Sequence, residues 1–386
     1  PAEIVARVLR TNPTVQAASS QVRVEEANRN RLEAGHYEWN VRLGSQQRRS
    51  RPPGTGDERF TEWNAALERP LRLPGKAALD AELGAAGIAL AEVAHGDALH
   101  EASRTLLKTW FVWLRESTSA SQWTAQVELL NKQTSAVQRR QQLGDAARLE
   151  IIQSEAALAQ AEAQLAQARI RQRNAAEDLR RRFPGLPLAA PETIAEPAAI
   201  TGSETEWLTL ILQENHELGM ARHAAQLAQV SASRSRQDRL PDPTVGVHVS
   251  TERGGEDRIV GAYISIPLPG TARSASADAA LAQASSANYR EVAIRQKVEA
   301  EAVALYNSAS AARSAWQASQ HAAERLTRAA DMSGRAYQLG EGSLNELITA
   351  RRLANEAELN ARLLQLEALE LGYLLRIDTH TLWDLD

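Results

Sequence analysis

The sequence has 386 residues, with 44 Lys and Arg against 48 Asp and Glu, which gives a net charge of −4. This balance, without a long basic stripe, argues against a nucleic-acid-binding protein. The absence of cysteine excludes disulfides, thiol catalysis and cysteine-ligated metal centres. Aromatic residues make up only 4% of the chain, and Ala, Gln, Arg, Glu and Leu fill most segments. This composition predicts long, closely packed helices. The chain begins at Pro1 without a signal peptide and is interpreted as a mature or trimmed form.

Two long segments, 75–183 and 270–386, contain no proline and are predicted to be helical almost throughout. Each has one break that contains glycine: Gln142-Leu143-Gly144-Asp145 in the first, and Gln338-Leu339-Gly340-Glu341-Gly342 in the second. Glycine can take the left-handed conformation that ends a helix. A helix over 76–141 would be roughly 100 Å long at ~1.5 Å per residue, so it needs neighbours along its length.

The two halves of the sequence repeat each other. Leu73-Pro74-Gly75 recurs 195 residues later as Leu268-Pro269-Gly270, and the two glycine-containing breaks lie 196 residues apart. Thr11-Asn12-Pro13 likewise parallels Glu214-Asn215-His216. These offsets predict an internal two-fold repeat. The predicted organisation is repeat 1 over 1–183, a Pro-rich linker over 184–203, repeat 2 over 204–378 and a tail over 379–386; each repeat begins with a helix of about 30 residues, at 3–34 and 204–238.

Between the first helix and the long helix of each repeat, apolar and polar residues alternate. The alternation predicts β-hairpins at about 37–71 and 243–268, each with one apolar and one polar face. Four strands can neither close a barrel nor bury an apolar face alone, so other strands must complete the sheet. Residues predicted on the polar face are Glu38, Arg42, His248 and Ser265, and those on the apolar face are Tyr37, Trp39, Val41, Val245, Val247, Val249, Ile264 and Ile266.

The helix that follows the first break carries two apolar seams at coiled-coil spacing on nearly opposite sides. Two opposed seams are typical of a wall of helices in which each helix has a neighbour on both sides, although an ordinary long coiled coil or spectrin-like rod is an alternative that leaves the hairpins unexplained. The first seam comprises Leu149, Ile152, Ala156, Ala159, Ala163, Ala166 and Ile170, and the second comprises Ile151, Leu158, Ala161, Leu165 and Ala168.

The sequence offers no pattern typical of a catalytic, cofactor or metal site. His216 and His223 lie about 10.5 Å apart along a helix, too far to share an ion directly. His95 and His100 are five residues apart, at a poor angle for a common ligand set. No nucleophile elbow, phosphate-binding loop or dinucleotide fingerprint occurs. The sequence therefore predicts a protein that is not an enzyme and that has no cofactor, and scattered surface or interface histidines are preferred over a metal site.

Together, the long helices in two tandem copies, the hairpin in each copy and the Leu-Gly-Asp/Glu breaks resemble the TolC family of bacterial outer-membrane efflux ducts. The Leu-Pro-Gly segment after each hairpin looks most similar to the heavy-metal-efflux branch. The resemblance implies a mainly α-helical fold with a membrane β-barrel, in which four strands per subunit form a twelve-stranded barrel in a homotrimer. It further implies an outer-membrane location with a long periplasmic extension, contact with outer-membrane lipid, and two partners: a periplasmic adaptor (membrane fusion) protein and an inner-membrane, proton-driven RND-type pump.

The resemblance also assigns roles to the helical breaks, at about 142–146 and 338–343. It implies that these tips dock the adaptor through Leu143, Gly144, Asp145, Leu339, Gly340 and Glu341; a plain helix–helix turn is the alternative. Glu346 matches the position of the family's aperture aspartate, whereas the usual second aspartate is replaced by Thr349. Glu150, 196 residues earlier, is the counterpart of Glu346 and would reinforce a carboxylate ring at a periplasmic gate. An ordinary solvated helix glutamate is the alternative for Glu346.

Overall fold

The structure is a computed structural model that describes residues 2–54, 56–191 and 193–383; positions 1, 55, 192 and 384–386 of the predicted segments lie outside it. Among the described residues the fold is mainly helical, with four antiparallel strands, which confirms the predicted fold class. None of the described helices combines the length and apolar content that a membrane-spanning helix requires. The elements are α1 (Ala2–Arg10), α2 (Pro13–Ala34), β1 (Asn40–Ser50), β2 (Glu58–Pro70), α3 (Lys76–Gln142), α4 (Arg148–Arg182), α5 (Glu204–Glu214), α6 (His216–Gln237), β3 (Thr244–Glu252), β4 (Asp257–Ser265), α7 (Thr271–Gln338) and α8 (Leu344–Asp378), with a short 3₁₀ helix (Arg253–Gly255) between β3 and β4.

The internal repeat is visible in the lengths of the helices. The long helices α3 and α7 have 67 and 68 residues, and α4 and α8 both have 35. The first and last residues of α4 and α8 are separated by the same 196 positions that separate the two breaks in the sequence. The predicted long helices and the positions of their breaks are therefore confirmed.

The prediction of a single helix over 3–34, and of another over 204–238, was wrong. The first is divided into α1 and α2, because Asn12 caps the start of α2 and Pro13 has no N–H to continue α1. The Asn12 Oδ1 atom accepts a hydrogen bond from the Thr14 backbone N–H at 3.0 Å. The second is divided at Asn215, whose backbone is extended. Pro13 and His216 open equivalent helices, as the parallel between the two segments predicts.

The four strands form one antiparallel sheet in the order β1-β2-β3-β4. Val41 pairs with Leu67, Leu67 with Val247, and Val247 with Ala262, so these side chains share one face. Three of the predicted apolar-face positions lie outside the strands, because β1 begins only at Asn40 and β4 ends at Ser265. Tyr37 and Trp39 precede β1, and Ile266 follows β4. The Tyr37 hydroxyl instead donates to Asp242 Oδ2 at 2.8 Å, so its partly buried ring does not extend the apolar face.

The chain divides into two compact units. Unit 1 comprises 1–17, 96–216 and 295–386, and unit 2 comprises 18–95 and 217–294. In unit 1, apolar side chains from α1, α3, α4 and α8 form the largest core, around Leu106, Phe111 and Leu179. In unit 2, three alanines from α6 and α7 pack closely and are buried: Ala232, Ala280 and Ala284.

Unit 2 also holds a buried lysine at the point where the sheet meets the helices. Lys76, the first residue of α3, is only 1% exposed. Its Nζ lies 2.9 Å from Asp242 Oδ1 and 3.1 Å from Asp238 Oδ1, and it donates to the Leu240 carbonyl at 2.8 Å. This network ties the end of the first hairpin to the segment that leads into the second. Thr271 occupies the equivalent position at the start of α7, so the anchor exists in one repeat only.

Candidate functional site

The turns between α3 and α4 and between α7 and α8 have the same backbone geometry. We call residues 142–147 the first tip and residues 338–343 the second tip. Gly144 and Gly340 take φ angles of +82° and +76°, the left-handed values that the sequence predicts. The Asp145 N–H donates to the Arg140 carbonyl at 2.8 Å, and the Glu341 N–H donates to the Ala336 carbonyl at 2.9 Å. Both turns are thus complete Schellman motifs.

A leucine at each tip is left exposed by this geometry. Leu143 is 84% exposed and Leu339 is 74% exposed, each directly before the left-handed glycine. Beneath them, in unit 1, Val137, Leu344 and Leu347 are buried in a small apolar cluster that packs the two tips together. The buried cluster holds the tips in place, while the two leucines are not covered by the described part of the chain.

Polar side chains also connect the two tips. The Tyr337 hydroxyl donates to Glu150 Oε2 at 2.6 Å, and the Arg140 guanidinium lies 5.2 Å from the centre of the Tyr337 ring. Arg140 Nε also donates to Asp145 Oδ2 at 2.9 Å. Burial, followed by the hydrogen bond to the Glu150 carboxylate, raises the pKa of Tyr337 to about 12. This favours the neutral phenol in the folded state.

The two tips differ in how their second helices begin. In the second tip, Ser343 and Glu346 form a capping box: Ser343 Oγ accepts from the Glu346 N–H at 3.2 Å, and Glu346 Oε2 accepts from the Ser343 N–H at 3.0 Å. In the first tip the N-cap is Ala147, whose side chain cannot form this bond. Glu150 occupies the same helical position as Glu346 but accepts from Tyr337 instead.

The raised pKa of Tyr337 gives an expected pH dependence. Its hydrogen bond stabilises the folded tips below the ordinary tyrosine pKa of 10, and this contribution is lost as the pH rises through about 12. The tyrosinate absorbance assigned to Tyr337, measured as wild type minus Tyr337→Phe, should therefore appear near pH 12. Glu150→Gln should shift the transition down towards 10, because it removes the carboxylate charge. A wild-type transition at pH 10 would contradict the Tyr337–Glu150 bond.

The proposed gate residues lie close to the tips, in unit 1. Glu346 and Thr349 are exposed in the first two turns of α8. Glu150 lies in the first turn of α4, with the Arg140 guanidinium 4.0 Å from its carboxylate. Within one chain, the Glu346 carboxylate is engaged by its own helix end, and Glu150 is engaged by Tyr337 and Arg140.

The sheet has one polar and one apolar face, as the alternation predicts. On the polar face, Arg42 pairs with Glu68 at 2.8 Å, Gln46 Nε2 donates to Glu62 at 2.9 Å, and Tyr263 donates to Glu68 at 2.5 Å. On the opposite face, large apolar side chains are exposed. They include Val41, Leu43, Trp63, Val247, Val249, Val260 and Ile264, which are between 39% and 77% exposed.

The two predicted seams of α4 differ in their burial. The second seam is buried at Ala161, Leu165 and Ala168. The first seam is not covered by the rest of the described chain: Leu149 is 62% exposed, Ile152 55% and Ile170 51%. The alanines of that seam are exposed as well. Helix α4 thus presents a complete coiled-coil seam that has no neighbour within the described residues of one chain.

A further group of side chains was missed by the sequence-based reasoning. His100 on α3, His216 at the start of α6 and His380 after α8 meet in unit 1, with one ring nitrogen from each lying within 4.8 Å of the others. Spacing rules compare residues on one helix, and these three lie on separate elements. No local pattern in the sequence signals the cluster.

Comparison with solved structures identifies the fold. No protein-family model and no curated protein sequence matches the chain. The Campylobacter jejuni CmeC outer membrane channel aligns with a TM-score of 0.78 at 13% identity, covering 99% of this chain and 85% of that one. CusC aligns with a TM-score of 0.79 at 14% identity, covering 98% and 90%. The Vibrio cholerae outer membrane protein VceC aligns with a TM-score of 0.73 at 15% identity, covering 97% and 95%. The chain therefore has the fold of these outer membrane proteins.

Proposed function

We propose that the protein is a passive, non-enzymatic outer-membrane channel subunit of a tripartite efflux pump, with its helices extending into the periplasm. The observation that carries the proposal is the open four-stranded sheet with one exposed apolar face. Such a face suits the hydrocarbon region of a membrane, where every strand edge must also be paired. The full-length likeness to solved outer membrane channels supports the same conclusion.

Three copies of the chain would close the sheet. Its outer strands, β1 and β4, present their edges at opposite sides of the sheet. Pairing β4 of one copy with β1 of the next is a head-to-tail contact, which forms a ring when the rotation closes. A homotrimer then forms a barrel of twelve strands, with Arg42, His248 and Ser265 towards the lumen and the exposed valines towards lipid.

The uncovered seam of α4 supports the same assembly. A seam of Leu, Ile and Ala at coiled-coil spacing is stable when a second helix covers it. Neighbouring copies in a trimer would supply that helix, and the helices would form a closed wall. A soluble coiled-coil scaffold or adhesion stalk would account for the seam, but it would not account for the apolar face of the sheet.

The cargo we propose is heavy-metal cations. Its support is the Leu-Pro-Gly segment that ends each hairpin, the feature most similar to the heavy-metal branch. The fold likeness itself does not resolve the branch, because several outer membrane channels align with similar TM-scores, such as 0.78 for CmeC and 0.79 for CusC. A duct of the same kind that serves drug efflux or protein secretion is the alternative. Export assays with metal salts and with organic drugs, both in one strain that lacks the gene for this protein, distinguish metal efflux from drug efflux.

We further propose that the tips dock a periplasmic adaptor, which links the duct to an RND-type inner-membrane pump. Gly144→Arg should abolish export while trimer assembly is retained, because a long charged side chain would be placed beside the exposed Leu143. Gly144→Asn is the matched control, since asparagine tolerates the left-handed conformation and adds little bulk. Export is measured in cells, and trimer mass is measured in detergent. Loss of the trimer in Gly144→Arg would mean that the tip is only a structural turn.

Glu346 is proposed to form a ring of three carboxylates at the periplasmic gate, with Thr349 and Glu150 nearby. Like charges in a narrow opening focus a negative potential that attracts cations. The purified protein should have the mass of a trimer and conduct in planar bilayers, with a preference for cations that Glu346→Gln reduces. Ser343→Ala is the control for the capping box: it weakens the helix start but keeps the charge. A monomeric protein without conductance would contradict the proposed channel function. Unchanged cation selectivity in Glu346→Gln would contradict the carboxylate ring but not the channel function.

A further inference from the structure

We propose that His100, His216 and His380 bind one divalent transition-metal ion, of the class that imidazole favours, such as Zn²⁺. The ion would be a resident of the protein rather than its cargo, and the inference does not depend on the channel function. One nitrogen from each ring already lies within 4.8 Å of the other two. In a tetrahedral Zn²⁺ site with Zn–N bonds of ~2.0–2.1 Å, the nitrogens would be about 3.3 Å apart. Rotation of the rings about their terminal torsions, which are broad, can close that difference.

The rings surround a space of the right size. A cavity of about 20 Å³ is lined by the three histidines together with Leu99, Ser103, Ile377, Leu382 and Trp383. A site needs ~10–15 Å³ to hold one water molecule, so this cavity can hold a single ion and no larger ligand. The ring centres lie 4.9 to 5.7 Å apart, and the Nε2 atoms of His216 and His380 are shielded from solvent. The apolar lining limits competition by water.

A carboxylate orients one of the three ligands. His100 Nε2 lies 3.3 Å from Asp378 Oδ1, and Arg104 donates to the same carboxylate. A proton shared in the His100–Asp378 bond lies on Nε2, which leaves Nδ1 of His100 as the lone-pair donor. This is the carboxylate–histidine–metal arrangement that fixes the tautomer and ring orientation in many metal sites. The Asp378 carboxylate also offsets the positive charge of Arg104 beside the site.

Two local features of the backbone favour the positions of the other two rings. His380 has φ +53° and occupies the left-handed position of a Schellman motif at the end of α8, where glycine is the usual residue. Gly96 lies one turn before His100, and a Cβ there would come within 2.8 Å of the His216 ring. An imidazole therefore replaces the expected glycine at one position, and a glycine makes room for an imidazole at the other.

The test uses the untagged, full-length protein in detergent, stripped with a chelator and titrated with ZnCl₂. Wild type should bind one Zn²⁺ per chain. His380→Gln should weaken binding by more than about tenfold, and Asp378→Asn by roughly 10–100-fold, the loss typical of an orienting partner. His321→Gln, which removes an exposed histidine on α7, is the matched control and should bind as wild type does.

Two measurements on the wild type keep the inference testable if a variant fails to fold. X-ray absorption of the Zn²⁺-loaded protein should show three imidazole ligands, and bound Co²⁺ should give the visible spectrum of a tetrahedral site. Zn²⁺ should also raise the melting temperature, because it binds the folded state. Absence of stoichiometric binding, or equal binding by His380→Gln and His321→Gln, would overturn the site and leave a packed histidine cluster without a metal.

Discussion

Lys76→Met is expected to destabilise the folded protein by about 3 kcal/mol, the lower end of the range for breaking a buried ion pair. Lys76 is almost completely buried, and its loss leaves Asp242 without its cation, whereas Asp238 keeps Arg234 at 2.5 Å. We take the lower end because Asp238 is 45% exposed and can be solvated. The measurement is thermal melting of the purified protein. Lys108→Met, at an exposed lysine on the same helix, is the control and should melt as wild type does.

A double variant separates the charge from the shape of Lys76. Asp242→Asn combined with Lys76→Met should recover part of the lost stability, because it removes one uncompensated carboxylate.

The network around Lys76 also lowers the pKa of Asp242. Burial opposes ionisation, but the bonds from Lys76, the Leu73 N–H and Tyr37 outweigh it and lower the pKa below its ordinary value. The stability that ionised Asp242 contributes is fully present above the ordinary Asp pKa and is lost as the pH falls through the lowered pKa of Asp242. Lys76→Met should therefore lose less stability than wild type as the pH is lowered. Equal acid sensitivity in both proteins would contradict the network.

Under the proposed channel function, Val247→Arg is expected to cost about 2–4 kcal/mol in membrane insertion, the cost of a basic residue near the bilayer midplane. Val247 lies in the third strand of the sheet, between Leu67 and Ala262, with 52% of its surface exposed. The adjacent His248 belongs to the opposite face, which makes His248→Arg a matched control. The fraction of folded protein recovered in the outer membrane is the measurement. The face assignment fails if Val247→Arg inserts normally, or if His248→Arg is equally harmful.

Much of the fold follows from local rules that act within a few residues. The left-handed Gly144 and Gly340, the alternation along β3 and the ends of α3 and α7 all depend on residue type and spacing, and the structure confirms them. The division of the first helix at Pro13 also has a local cause, because proline cannot donate the hydrogen bond that would continue α1. The prediction of one helix over 3–34 gave too little weight to that proline.

The remaining features depend on which distant segments meet. Nothing next to Lys76 in the sequence indicates that it is buried between Asp238 and Asp242, over 160 residues away. The histidine cluster likewise requires α3, α6 and the segment after α8 to come together. Residue spacing identifies neighbours on one helix or strand only. The exposure of the first α4 seam, in contrast, follows from the sequence pattern. Two apolar seams on opposite sides of α4 need a neighbouring helix on each side, and the described part of one chain covers only the second seam.

The missing cap at Ala147 has a consequence for how the two tips fluctuate. An alanine in place of serine at an N-cap costs about 1 kcal/mol, so the first turn of α4 should open roughly fivefold more often than that of α8. Amide hydrogen exchange would record this as faster exchange at residues 151–154, whose N–H groups bond to the first-turn carbonyls of α4, than at the equivalent residues 347–350 of α8. In a closed ring of three copies, compliant and stiff helix ends would then alternate around the rim. Any widening of that rim would begin at three hinges rather than six.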